Sequence, residues 1–81
     1  MDAEQLHYTT GEEIQLGDRV QLGGTFATVV VVSDGETYQT ASGYEDYAGV
    51  ERGVTICDDD GEITTVDDKD ERLVFIERGT A

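Results

Sequence analysis

The sequence predicts an all-β domain, a small and partly open barrel of five or six short strands with one long loop. Three observations favour this fold: the apolar residues come in short β-branched runs, glycine-containing turn signals separate the runs, and no stretch has a sustained helical period. A chain of 81 residues forms one domain, which buries about 60–65% of the surface that the unfolded chain exposes.

The first half of the chain supplies the central strand. Residues 1–12 are polar and predict an extended lead-in, so the barrel domain is expected over residues 13–78, with a tail at 79–81. Apolar residues at 14, 16, 20 and 22 share one parity, which predicts two short strands around a turn at Gly17-Asp18. Gly23-Gly24 predicts a tight bend, and the apolar run 26–32 predicts a strand covered on both faces that ends at Asp34-Gly35.

The second half alternates turn signals with short strands. Residues 36–49 have no sustained period and predict the long loop, with a helical turn near residues 44–48. Residues 54–57 and 62–66 predict two strands joined by a hairpin at Asp60-Gly61. A charged connection follows at 66–71, and the apolar run 73–76 predicts a last buried strand.

Part of this pattern resembles a known family. Gly17-Asp18-Arg19-Val20, followed by Gly24 and the valine run 29–32, resembles the opening of KOW-type SH3-like domains. The resemblance implies an SH3-like barrel. Those domains usually present basic residues to RNA and this chain does not, so RNA binding is not carried over.

A second resemblance covers more of the chain. It is to small uncharacterised bacterial proteins with a Leu-Gly-Asp-Arg-Val core, found here at residues 16–20, and with segments like those at 52–54 and 72–74. This resemblance supports the same fold and implies no site residues.

The charge balance is the strongest compositional feature. Nineteen Asp and Glu face five Lys and Arg, giving a net charge of −14. Such a surface repels phosphate backbones and anionic lipids and attracts cationic proteins, so we expect a basic protein partner and neither nucleic-acid nor membrane binding. A second interpretation remains open: an acidic surface also suits a cytoplasm of high salt, where the Debye length is about 3 Å at 1 M.

The ends and the single cysteine bear on location. No apolar stretch is long enough for a bilayer, and the first residues show no signal-peptide pattern. Cys57 is the only cysteine, so an internal disulfide is excluded. A cytoplasmic location is the expectation, and the oligomeric state is left open.

Two arrangements of residues resemble chemical sites but lack what those sites require. Placing Gly61 at the glycine position of a calcium loop puts Ile56 at its first ligand and Asp67 at its last, which does not match the pattern. His7 and Cys57 lack the nearby positive charge that activates a nucleophilic thiol. We therefore expect no metal, no cofactor and no enzymatic activity.

The long loop is the candidate binding site, because three of the four tyrosines fall in it beside carboxylates. Tyrosine rings next to carboxylates suit Arg or Lys side chains of a partner, whereas the alternative is that the rings cap the open end of the barrel. The acidic hairpin tip is the second predicted patch. The candidate residues are Tyr38, Tyr44, Glu45, Asp46 and Tyr47 in the loop, and Asp58, Asp59 and Asp60 in the tip.

The expected function is therefore a non-enzymatic acidic binding module, whose concrete form is an inhibitor or immunity-type protein. A DNA mimic is one variant of it, with carboxylates in place of phosphates. The alternative is a halophile-adapted SH3-like housekeeping or regulatory domain that is acidic for solubility alone.

Overall fold

The computed structural model describes residues 6–35, 38–47 and 52–78. These residues form six antiparallel strands in one sheet, with a single 3-10 turn between the third and fourth. The elements are β1 (Arg19–Leu22), β2 (Thr25–Ser33), β3 (Tyr38–Thr40), the 3-10 turn (Glu45–Tyr47), β4 (Gly53–Asp58), β5 (Ile63–Val66) and β6 (Leu73–Glu77).

The sheet has the order β5-β4-β2-β1-β6, and β3 pairs with β2 outside this path. β2 is central: β1 and β3 follow one another along one of its sides, and β4 occupies the other. Within the described residues, β5 and β6 are not hydrogen-bonded to each other, so the sheet does not close into a barrel. The all-β prediction is confirmed, and the architecture is a single sheet with two free ends.

A β-bulge in β2 explains why its valine run is buried on both faces. Val29 pairs with Ile56 and Val31 pairs with Thr55, which leaves Val30 as the extra residue. Val29 and, beyond the bulge, Val32 pack with the main core, while Val30 and Val31 are buried outside that cluster. The prediction of a strand covered on both sides is therefore confirmed for this part of the run, whereas Phe26 at its start is exposed.

The segment before β1 closes the core. Residues 6–14 double back, with an isolated bridge between His7 and Glu13 and a 2.9 Å bond from the Ile14 N–H to the Leu6 carbonyl. Leu6, Tyr8 and Ile14 are all buried. The expected polar lead-in thus contributes two core residues at positions 6 and 8, and residues 14–16 form no strand. The main core cluster comprises Leu6, Tyr8, Ile14, Val20, Ala27, Val29, Val54, Ile56 and Leu73.

The predicted long loop contains regular structure. β3 pairs with β2 through Val31↔Thr40 and Ser33↔Tyr38, so the prediction of one long loop over residues 36–49 is wrong for residues 38–40. The helical turn expected near residues 44–48 is confirmed as the 3-10 turn. Residues 36, 37, 48 and 49 lie outside the described part of the chain, as do residues 1–5 and 79–81.

The hairpin at Asp60-Gly61 is confirmed. The Asp58 N–H donates to the Glu62 carbonyl at 2.9 Å, and the Gly61 N–H donates to the Asp58 carbonyl at 2.9 Å. β4, β5 and β6 match the strands predicted at 54–57, 62–66 and 73–76 to within one residue at each end. Among the described residues there is no helix with the length and apolarity that a membrane crossing requires.

Candidate binding surface

The tyrosine segment lies along one side of β2. Tyr38 opens β3 opposite Ser33, and its side chain is 58% exposed. Tyr44 is half-buried, and its N–H donates to the Ala41 carbonyl at 3.1 Å. Tyr47 ends the 3-10 turn, and its side chain lies outside the description. Among the described side chains of this segment, Tyr38 is the exposed aromatic ring.

The two acidic residues of this segment are exposed. The Glu45 carboxylate accepts from the Gly43 N–H, at 3.0 and 3.2 Å for its two oxygens, which holds the turn before the 3-10 segment. Asp46 follows within the same turn. Both carboxylates remain available to water, so this segment combines an exposed ring with negative charge.

The acidic hairpin tip is partly structural. Asp58 Oδ1 accepts from the N–H groups of Asp60 at 2.9 Å and Glu62 at 2.8 Å, so this carboxylate caps its own turn. Asp59 pairs with Arg19 at 3.3 Å between Oδ1 and Nη1. Asp60 is exposed. Of the three predicted aspartates, two are therefore engaged within the protein.

The two predicted patches lie at opposite ends of β2. Tyr38 is opposite Ser33, whereas Asp58 is opposite Ala27. Ala27 and Ser33 are six positions apart along the strand, which corresponds to about 20 Å. The structure thus does not bring the predicted site residues together into one compact surface.

All four arginines are engaged in ion pairs with aspartates. The shortest N–O distances are 2.7 Å for Arg72–Asp70, 3.0 Å for Arg78–Asp18, 3.1 Å for Arg52–Asp68 and 3.3 Å for Arg19–Asp59. Four of the five basic side chains are thereby paired with aspartates within the fold, and the remaining carboxylates give the surface its negative potential.

A buried network around Asp18 was missed by sequence reasoning. Asp18 is 0% exposed, and its carboxylate accepts from Tyr8 Oη at 2.6 Å, from the Gln15 N–H at 2.9 Å and from Arg78 Nη1 at 3.0 Å. Burial, together with the bond to Asp18, raises the pKa of Tyr8 well above its usual range. The Gly17-Asp18 pair predicts only a turn, although an aspartate within an apolar alternation is also a signal of a buried, hydrogen-bonded carboxylate.

The aromatic ring of Phe75 joins the same network from β6. Its ring centroid lies 5.3 Å from that of Tyr8, and the Arg78 guanidinium carbon lies 5.1 Å from the Phe75 centroid. Arg78 Nη1 also donates to the Glu13 carbonyl at 2.9 Å. Arg78 therefore ties the end of β6 to the segment that closes the core.

A second buried carboxylate, that of Asp68, pairs with Arg52 and so links the two ends of the β4–β5 hairpin. Asp68 is buried and accepts from Arg52 Nε and Nη2, each at 3.1 Å. Burial raises the pKa of Asp68, but the hydrogen bonds from Arg52 and Asp67, together with the charge of Arg52, hold that pKa below its usual value. In the exposed pair nearby, Arg72 lowers the pKa of Asp70 to about 2. These carboxylates serve the fold.

The outer face of the sheet carries an exposed apolar cluster. Phe26 is 48% exposed, Val74 43% and Ile76 44%. Phe26 and Val74 are both opposite Gln21, from β2 and β6 respectively, so they flank it in one row across the sheet. The prediction that residues 73–76 form a buried strand is therefore wrong for Val74 and Ile76.

One open groove lies between the β1–β2 and β4–β5 hairpins. Its volume is about 160 Å³, below the roughly 300–1,000 Å³ typical of small-molecule sites. Its lining residues are Leu22, Thr25, Ile56, Asp58, Glu62 and Thr64. In the described ranges, no three His, Cys, Asp or Glu side chains are grouped so as to hold a metal ion.

Family models, curated proteins and solved structures give no match to this chain. The geometry above is therefore the basis for a functional proposal.

Proposed function

We propose that this chain is a non-enzymatic acidic binding module that engages a basic protein, with an inhibitor or immunity-type protein as its concrete form. The observation that carries the proposal is the pairing of all four arginines with aspartates in a chain of net charge −14. A surface of this kind accelerates encounter with a cationic partner and disfavours anionic ones.

The tyrosine segment provides the contacts in this proposal. The exposed ring of Tyr38 offers a face for an Arg or Lys side chain, and Glu45 and Asp46 offer carboxylates to the same partner. Tyr44 and Tyr47 belong to the same segment. Asp60 is the exposed member of the hairpin tip, so a partner that uses both patches must span about 20 Å.

Replacement of Tyr38 by Ala tests the site. In calorimetric titrations against a panel of purified basic proteins, Tyr38→Ala is expected to weaken binding about fivefold to tenfold, because a cation–π contact contributes on the order of 1 kcal/mol. The matched control is Gln39→Ala, the neighbouring exposed residue of the same strand. Equal affinities of the two variants would exclude Tyr38 as a contact.

The SH3-like relationship is part of the same proposal. The order β5-β4-β2-β1-β6, in which the last strand returns beside the first, is compatible with it. The Gly17-Asp18-Arg19-Val20 segment leads into β1, as the KOW-type pattern implies.

A halophile-adapted housekeeping or regulatory domain is the second candidate. It is favoured by the distribution of exposed carboxylates, which occur at both ends of β2 rather than on one surface. Circular dichroism and thermal melts from about 0.05 to 3 M KCl separate the candidates, because salt screens self-repulsion. Full structure in dilute buffer favours the binding module, and structure that forms only at high salt favours adaptation.

A further inference from the structure

Strand β6 is a free edge of the sheet. In the described residues it is hydrogen-bonded to β1 on one side and to no strand on the other. Natural edge strands commonly carry lysine, proline or an inward charge that discourages pairing with other chains. The Leu-Val-Phe-Ile-Glu sequence of β6 has neither lysine nor proline, and the arginines that flank it at 72 and 78 are held by Asp70 and Asp18. Its pairing with β1 has one β-bulge, at Ile76, so the regular part of the edge is Leu73–Phe75.

The exposed apolar cluster adjoins this edge. Val74 and Ile76 belong to β6, and Phe26 lies two strands away in the row that contains Val74. These three are the large aliphatic or phenylalanine side chains that are exposed in the described structure. An added strand would extend the sheet by hydrogen bonding and place its own side chains beside Val74 and Ile76, whereas Phe26 lies three strands away from it.

The charges at the two ends of β6 indicate which kind of chain fits. Glu71 precedes the strand, Glu77 ends it, and both are exposed. A second copy of this protein would bring another net charge of −14 against the same edge, within the roughly 8 Å over which charges interact at physiological salt. An extended segment with a basic residue at each end and apolar residues between them complements the edge.

We infer that β6 is the docking edge for the basic partner, which adds an extended segment with alternating apolar side chains and flanking Lys or Arg. The inference rests on the proposed function and names a surface for it. The apolar side chains of the added segment contact Val74 and Ile76, and its basic ends contact Glu71 and Glu77. Glu71 lies in the turn before β6 and Glu77 is the last residue of the strand, so the basic residues of the added segment flank its apolar part.

A short peptide serves as the probe. The capped peptide Lys-Thr-Val-Thr-Val-Thr-Lys places both lysines and both valines on one face of a strand. In an NMR titration of the full chain in dilute buffer, it is expected to shift the amide signals of residues 73–77 and to slow their hydrogen exchange. A peptide with glutamate in place of lysine is expected to leave the spectrum unchanged.

A pair of variants tests the surface. Val74→Thr with Ile76→Thr keeps the β-branched shape and the charge but removes apolar contact, and is expected to raise the dissociation constant about tenfold. The matched control is Ile63→Thr on β5, at the opposite edge of the sheet. This variant is expected to change the dissociation constant less than about twofold.

The remaining outcomes overturn the inference in distinguishable ways. Shifts confined to residues 38–47 refute β6 as the docking edge and leave the proposed function intact. Equal binding of the glutamate peptide refutes the charge complementarity on which the function itself depends. A β6-mediated dimer of this chain in dilute buffer, abolished by the Val74 and Ile76 changes, replaces the basic partner with a second copy.

Discussion

Replacement of Asp18 by Asn probes the network that joins the beginning and the end of the described chain. The fully buried Asp18 carboxylate accepts from Tyr8 Oη, from the Gln15 N–H and from Arg78 Nη1 at 2.6–3.0 Å. Asparagine keeps the shape of the side chain and one acceptor oxygen. Its amide nitrogen, however, is a donor that faces the groups that donate to Asp18.

The expected loss is about 3 kcal/mol in the free energy of unfolding. Hydrogen bonds to a charged group contribute about 1.5–3 kcal/mol each, and two such bonds, from Tyr8 and Arg78, are weakened. The bond from Arg78 contributes less to the free energy of unfolding than the bond from Tyr8, because the Arg78 side chain is 40% exposed and water can solvate it. Since 81 residues correspond to a stability of roughly 4–12 kcal/mol, the melting temperature should fall by about 15 °C.

Urea denaturation followed by circular dichroism measures this effect. We expect a lower midpoint with an unchanged slope, because the surface exposed on unfolding stays the same. A double-mutant cycle with Tyr8→Phe is expected to give a coupling energy of about 1–2 kcal/mol. Asp60→Asn, at an exposed position, is the control. If the free energy of unfolding of Asp18→Asn is within about 0.5 kcal/mol of that of the original protein, the hydrogen bonds of Asp18 do not stabilise the fold.

Three further predictions concern a close backbone contact and two pH limits. Gly53→Ala places a Cβ 2.6 Å from the Val66 carbonyl oxygen, at a φ of +152°. It should lower the free energy of unfolding, measured by urea denaturation, by more than about 2 kcal/mol, whereas Gly61→Ala should lower it by about 1 kcal/mol. Stability should fall below about pH 4, because Asp68 has a lower pKa in the folded state and therefore takes up its proton more readily when the chain unfolds. In thermal melts at decreasing pH, Asp68→Asn should make this loss of stability less steep. Stability should also fall above about pH 10, because Tyr8 ionises only when unfolded, and Tyr8→Phe should reduce that slope.

Three results would contradict these predictions. The first is equal destabilisation by the two glycine variants, because a Cβ at Gly61 has no atom within 4 Å, whereas a Cβ at Gly53 meets the Val66 carbonyl oxygen. The others are unchanged acid or alkaline slopes in the Asp68 and Tyr8 variants.

Local signals were sufficient for most strands. The β-branched run in β2 and the Asp60-Gly61 turn between β4 and β5 each specify their structure within a few neighbouring residues. The bulge at Val30 could not be located in the same way, since an uninterrupted valine run gives no indication of which residue is unpaired. β3 was missed because its three residues are too few to show a period.

Long-range partners account for the other differences. Leu6 and Tyr8 alternate with polar residues, and their burial depends on the rest of the sheet. Asp59 was predicted as free surface charge, but it pairs with Arg19, 40 residues away in sequence. Val74 and Ile76 have the composition of a core strand, but they lie on the outer face of the sheet, whereas Leu73 of the same strand is buried in the core. Sequence pattern therefore identified the strands better than it identified which side chains reach solvent.

The contact between Asp18 and Arg78 has a consequence for biosynthesis. Sixty residues separate the two partners, and at about 5–20 residues per second the ribosome takes about 3–12 s to add them. During that interval β1 has only β2 to pair with, and the carboxylate that will be buried has no guanidinium beside it. One edge of β1 therefore stays unpaired until β6 has been synthesised. The net charge of −14 makes neighbouring nascent chains repel one another, which disfavours aggregation during this interval.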